Sequence, residues 1–144
     1  MSFTNDKVFL DTNIVVYAFD SADPVKQKRA WEILETAASA GSVTISTQVL
    51  QEFYVTVVRK LEHPLPPEVA ERAVVRLARL NVRQIDTDTI VAAITVSRKH
   101  QLSFWDALIV QSALESRCAR LLSEDYQDGL KIGDLIVNNP FIEL

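Results

Sequence analysis

Short apolar runs alternate with longer stretches of helical periodicity along this chain, and that alternation leaves few folds open. Lys7 to Leu10 reads as a first strand, closing on the β-branched and aromatic run Val8-Phe9-Leu10. Pro24 to Ala40 reads as a helix, with Asp23 as its cap and Gly41 as its stop. Val43-Thr44-Ile45 forms strand two, and Thr47 to about Leu61 forms a second long helix whose apolar residues Val49, Leu50, Phe53, Tyr54, Val57 and Val58 recur at helical spacing. His63-Pro64-Leu65-Pro66-Pro67 breaks the pattern. Glu68 to Leu80 resumes as a helix, and Val82 to Ile85 is a third strand. Thr87 to His100 and Ser103 to Glu115 are helices, and Ala119 to Leu122 and Leu135 to Val137 are the last strands. Alternation at these lengths predicts a parallel sheet covered by helices on both faces, with right-handed crossovers.

A chain of 144 residues, 48% hydrophobic, suits one domain over 1–144 that buries about two thirds of its unfolded surface. Its 3 Gly and 5 Pro fall in no long low-complexity stretch, so neither a linker nor a repeat divides it. Met1-Ser2-Phe3-Thr4-Asn5-Asp6-Lys7 is polar and lacks the apolar core of a signal peptide. No apolar run approaches the ~18 residues of a membrane span, so no membrane partner is expected. The lone Cys118 excludes an intramolecular disulfide and fits a reducing cytoplasm. A net charge of −4 argues against generic nucleic-acid affinity, although it allows a local basic patch and a cluster of functional acids.

In an open parallel sheet, ligands bind just beyond the carboxyl ends of the strands. Asp11 stands there, directly after strand one, followed by Thr12 and Asn13. Taken alone it reads first as a helix cap and only second as a site residue. Asp106, in Ser103-Phe104-Trp105-Asp106-Ala107-Leu108-Ile109-Val110, lies on a helix that is apolar nearly all round. A buried carboxylate without a partner is costly. Ser103 and Asp106 have the spacing of a capping box, and a first-turn residue can also face a cleft, so cap and site stay open together. Glu52 flanks the apolar stripe of the second long helix, where a solvated acid near the positive helix end is the plain alternative. Asp125 follows a strand in Ser123-Glu124-Asp125-Tyr126-Gln127-Asp128-Gly129, where Asp and Gly also serve as turn formers. The separate explanations leave the set unexplained: four acids at points that a parallel sheet can gather at one end.

These segments resemble the PIN domain family, and most closely its VapC-type toxins of toxin–antitoxin pairs, over nearly the whole chain. Val8-Phe9-Leu10-Asp11-Thr12-Asn13-Ile14 resembles the family's opening strand and first acid, and Ser46-Thr47-Gln48-Val49-Leu50-Gln51-Glu52-Phe53 its second-acid segment. Ser103-Phe104-Trp105-Asp106-Ala107-Leu108-Ile109 resembles the third, and Leu122-Ser123-Glu124-Asp125 with Val137-Asn138-Asn139-Pro140-Phe141 the fourth-acid loop and last strand. The resemblance implies a PIN-like three-layer α/β/α fold with a central, mainly parallel five-stranded sheet. It implies a metal-dependent endoribonuclease, the toxin of such a pair, with Asp11, Glu52, Asp106 and Asp125 as the catalytic and metal-binding acids. An RNA substrate, a cognate antitoxin and a homodimer follow from the same resemblance. Ser123 stands where many members have Thr, which keeps the hydroxyl, and Glu124 and Asp128 are close alternatives to Asp125.

The chemistry of the residues agrees. Four carboxylates in one cleft repel one another unless protons or a cation neutralise them. Oxygen-only ligands suit Mg²⁺ or Mn²⁺, as one ion or two. Thr12, Asn13 and Ser123 are placed to orient ligands, water or substrate. His63 and His100 are isolated, Cys118 has no His or Asn near it in sequence, and no Gly-rich phosphate loop occurs. A haloacid-type phosphatase also begins strand–Asp but needs an Asp two residues on, where this chain has Asn13. Arg72, Arg76 and Arg79 share a helix face that could contact RNA phosphates, or be an ordinary charged surface with Glu68 four residues before Arg72; Arg59, Lys60, Arg98 and Lys99 are further candidates with nothing to choose among them. The alternative function is a PIN-like module that binds RNA or protein without catalysis.

Overall fold

The computed structural model describes residues 7–142, so the polar segment Met1 to Asp6 lies outside the described residues. The chain runs β1 (Val8–Leu10), α1 (Thr12–Tyr17), α2 (Pro24–Ser39), β2 (Val43–Ser46), α3 (Thr47–Arg59), α4 (Pro67–Leu77), β3 (Asn81–Arg83), α5 (Thr87–His100), α6 (Phe104–Glu115), β4 (Arg120–Leu122), β5 (Lys131–Ile132) and β6 (Leu135–Asn138). The strands form one sheet in the order β3-β2-β1-β4-β6-β5. Every pairing is parallel except that of β5 with β6. The expected five strands are present. The sixth, the two-residue β5, is an antiparallel edge formed where the loop after β4 folds back on β6; it is too short to show periodicity.

Helices α1 to α4 pack chiefly among themselves and α5 packs on α6, so the sheet is flanked by helices in a PIN-like α/β arrangement. Strand β1 is buried on both faces, which is why Val8-Phe9-Leu10 reads as an unbroken apolar run; β2 is buried throughout as well, with Thr44 and Ser46 among its apolar residues. Phe9, Leu10, Ile14, Ile45, Phe53 and Leu121 are among the largest fully buried side chains and sit at the centre of the core.

Local chemistry sets the helix starts. Asp23 accepts the amide of Lys26 at 3.1 Å with Pro24 at the first helical position, Ser46 accepts from Val49, and Ser103 accepts from Asp106. Gly41 takes a left-handed φ of +67° to turn α2 into β2. The helix α1 directly after β1 has only six residues, too few for helical periodicity to mark it in the sequence.

The topology also makes a crevice. From β1 the chain moves outward through β2 to β3 and then returns to β4 on the other side of β1. The carboxyl ends of β1 and β4 therefore flank a switch point, where connections diverge and a cleft opens.

Candidate active site

Asp11 occupies that switch point. It follows β1, caps α1 and is only 5% exposed. Its Oδ1 accepts the Thr12 amide at 2.7 Å. Its Oδ2 accepts the Ser123 hydroxyl at 2.7 Å and the Asn13 side-chain amide at 3.4 Å. Cap and cleft residue are thus the same residue. Burial pushes the carboxyl up to about 7, against the opposing pull of the Ser123 and Thr12 hydrogen bonds. The negative charges of Asp125 and Glu52 push it in the same direction as burial.

The other acids are tied to the same few residues. Thr12 donates its hydroxyl to Glu52 Oε1 at 2.7 Å. Asn13 donates its amide to Asp125 Oδ2 at 2.9 Å and to Ser123 Oγ at 3.1 Å. The Asp125 amide donates to Ser123 Oγ at 3.1 Å. Asp106 lies in the first turn of α6, where its backbone N–H donates to Ser103 Oγ at 3.1 Å. Burial raises the Asp106 carboxyl above its ordinary range, a Ser103 hydrogen bond opposes this, and Asp125 and Glu52 add to it. Asp11, Glu52, Asp106 and Asp125 all line one cleft of about 720 Å³.

The acids share a cleft without meeting at a point. Among the described residues, no three His, Cys, Asp or Glu side chains are gathered closely enough to hold a metal ion by themselves. Thr12 and Asn13 intervene as hydrogen-bond donors between Asp11 and its neighbours. The donor set nevertheless fits a hard divalent cation: oxygen-only, with a buried carboxyl whose charge the fold alone opposes. A cation that keeps several of its waters needs only one or two direct carboxylates.

Of the alternatives to Asp125, Glu124 also lines the cleft but is engaged by Lys26 at 2.8 Å and by the Tyr17 hydroxyl. Asp128 instead accepts the Asn139 amide at 2.8 Å and does not line the cleft. Arg72, Arg76 and Arg79 are exposed and do not line it either. Arg79 lies beyond the end of α4, and Arg76 borders a smaller groove of about 210 Å³ with Phe19, Trp31 and Leu34. Among the described residues, the one Lys or Arg that lines the acid cleft is Lys60, at the end of α3. Gln48 is a site residue that sequence reasoning missed: it is buried, lines the cleft, and donates to Glu52 Oε2 and to the Trp105 carbonyl. Its signal was its place four residues before Glu52, on the same helix face. Cys118 is buried and its thiol is pushed up to about 11, which fits an inert structural residue.

The PIN domain model matches residues 8–130. This chain belongs to the PIN domain family. A comparison with curated proteins finds no significant sequence match. Among solved structures, this PIN domain has the fold of a chain from a toxin–antitoxin complex of Klebsiella pneumoniae (TM-score 0.69, 21% identity, covering 93% of this chain and 98% of that one). It is similar to VapC20 of Mycobacterium tuberculosis, described as a toxin that cleaves the sarcin–ricin loop (TM-score 0.64, 20% identity, covering 79% and 86%). It is also similar to a chain of VapBC2 from Rickettsia felis, solved bound to a DNA fragment from its promoter (TM-score 0.64, 22% identity, covering 92% and 97%). At these identities the likeness shows the fold of the PIN domain. No helix among the described residues is long and apolar enough to cross a membrane.

Proposed function

We propose that this PIN domain is a Mg²⁺- or Mn²⁺-dependent endoribonuclease and the toxin of a toxin–antitoxin pair. The observation that carries the reading is the shared cleft, lined by acids from four separate segments, with Asp11 buried and its carboxyl pushed up to about 7. A binding module gains nothing from a buried acid whose charge the fold opposes. Asp11, Glu52, Asp106 and Asp125 are the residues that would hold the cation. When bound, it supplies charge neutralisation and Lewis acidity for attack of water on a phosphodiester.

The chain's own residues do the positioning. Ser123 and Thr12 orient the Asp11 carboxyl, Asn13 holds Asp125 beside it, and Thr12 holds Glu52. We assign phosphate contact to Lys60, which lines the cleft, and leave Arg72, Arg76 and Arg79 to more distant stretches of the RNA. The antitoxin partner is supported by the toxin–antitoxin complexes that share this fold. A homodimer is supported by exposed apolar side chains on two helices, Tyr54 and Val55 of α3 and Ile90, Val91 and Ile94 of α5. Action in the cytoplasm is supported by the lone, buried Cys118.

The test is incubation of single-stranded and structured RNA with the protein in Mg²⁺, in Mn²⁺ and in EDTA. The reading expects internal cleavage that EDTA abolishes. RNA bound but left intact in either metal would contradict it and favour the non-catalytic module.

A further inference from the structure

Trp105 is the least buried large apolar side chain among the described residues, at 62% exposure, yet it lines the acid cleft and directly precedes Asp106. An indole left in water at a cleft wall presents a flat apolar face that a ligand can cover. The ring is not a loose surface group. It meets Phe104 edge to face, with centroids 5.1 Å apart and planes at 73°. Its backbone is fixed as well: the buried Gln48 side-chain amide donates to the Trp105 carbonyl at 3.1 Å and to Glu52 Oε2 at 3.4 Å. Both neighbours are acceptors, so the Gln48 amide nitrogen must face them. Its Oε1 is left buried without a partner. One side chain therefore ties the turn carrying Trp105 and Asp106 to the helix carrying Glu52. Order of this kind at an exposed aromatic lowers the entropic cost of covering it.

We propose that Trp105 is a stacking platform for an unpaired base of single-stranded RNA beside the phosphate handled in the acid cleft. The inference rests on the ribonuclease reading and names a substrate subsite within it. Charge selects the occupant. Asp11, Asp20, Glu52, Asp106, Glu124 and Asp125 make the cleft strongly acidic, so the part of a nucleotide that can lie against this wall is its neutral base. The phosphates fall instead to Lys60 or to a bound cation. A base inside a duplex has both faces already stacked, so the platform takes unpaired bases only. Stacking accepts every base, because each has a π face, so this subsite confers preference for single strands more than for sequence.

The experiment compares wild type, Trp105→Phe and Trp105→Ala on a short single-stranded oligoribonucleotide that wild type cleaves, and on the same strand with an abasic nucleotide at each position in turn. Trp105→Ala is expected to raise KM about tenfold with kcat little changed, and Trp105→Phe to restore most of it. An abasic nucleotide at one position beside the cut should impose a similar penalty on wild type and almost none on Trp105→Ala. Because the ring is exposed, thermal melts should show both variants folded. Unchanged KM in Trp105→Ala, or abasic penalties that persist undiminished in it, overturns the platform while leaving the nuclease standing. A loss of activity accompanied by a fall in light-scattering mass to a single chain would assign Trp105 to contact between copies, and overturns it as well. If wild type cleaves no RNA in either metal, the ribonuclease reading falls and the platform with it.

Discussion

Asp11 and Asp106 line the same cleft from opposite kinds of support. Asp11 sits at the end of a strand, nearly sealed, with its carboxyl receiving three donors and raised to about 7. Asp106 sits in the first turn of a helix whose burial begins only at Ala107; it is half-buried, and burial raises its carboxyl against the lowering pull of a Ser103 hydrogen bond. The sheet end builds its acid into the core, where ionisation strains the fold. The helix end presents its acid to the cleft half-buried, where burial and the charges of Asp125 and Glu52 also oppose ionisation. One polypeptide thus holds a rigid acid whose charge needs compensation and a more open acid ready to meet what enters.

Removing the charge of Asp11 should separate the two most widely. Asp11→Asn is expected to lower RNA cleavage by roughly a thousandfold or more. Above about pH 7 it should also stabilise the fold, by up to about 4 kcal/mol. Denaturant melts and cleavage rates on one preparation measure both, and destabilisation there would break the account of Asp11.

The wild-type pH profile is the same contrast in another form. The folded pKa of Asp11 lies above its unfolded value, so the stability associated with the protonated form is fully present below about pH 4 and is lost as pH rises towards about 7. Melting curves across that window should show the decline in wild type and a flatter profile in Asp11→Asn. Equal slopes in the two proteins would assign the decline to other groups.

A divalent cation should offset part of the same strain. Magnesium at about a hundredfold excess over its Kd stabilises a folded state that alone binds it by about 2.7 kcal/mol. The melting temperature of wild type should rise with magnesium and that of Asp11→Asn should rise less. The smallest effect belongs to the helix end: Ser103→Ala removes the cap of α6 and should cost about 1 kcal/mol by denaturant melt.

The two ends were not equally legible. The strand before Asp11 announces itself, because a strand buried on both faces must be apolar throughout, and the topology follows from strands and helices in alternation. Asp11 and Asp106 were visible as acids at element boundaries. Gln48 was not, since Gln does not break a helical pattern, and nothing in the sequence singles out Lys60 from Arg59, Arg98 and Lys99. The Arg72, Arg76 and Arg79 stripe misled for the matching reason: periodicity places residues on a helix face but does not say which way that face looks, and here Arg76 borders a different groove. The length of β5 and the separation of the acids by Thr12 and Asn13 depend on loop geometry that no period encodes.

The central claim is that the cleft acids act through their charge and not only as caps, and Asp106→Asn tests it most directly. Asn is nearly isosteric with Asp and leaves the backbone N–H bond to Ser103 in place. Initial cleavage rates on a single-stranded RNA in magnesium, with thermal melts on the same preparation, should show a loss of roughly a thousandfold or more in a protein that melts close to wild type. Full activity in a well-folded Asp106→Asn protein would return this residue to a structural role and contradict the nuclease.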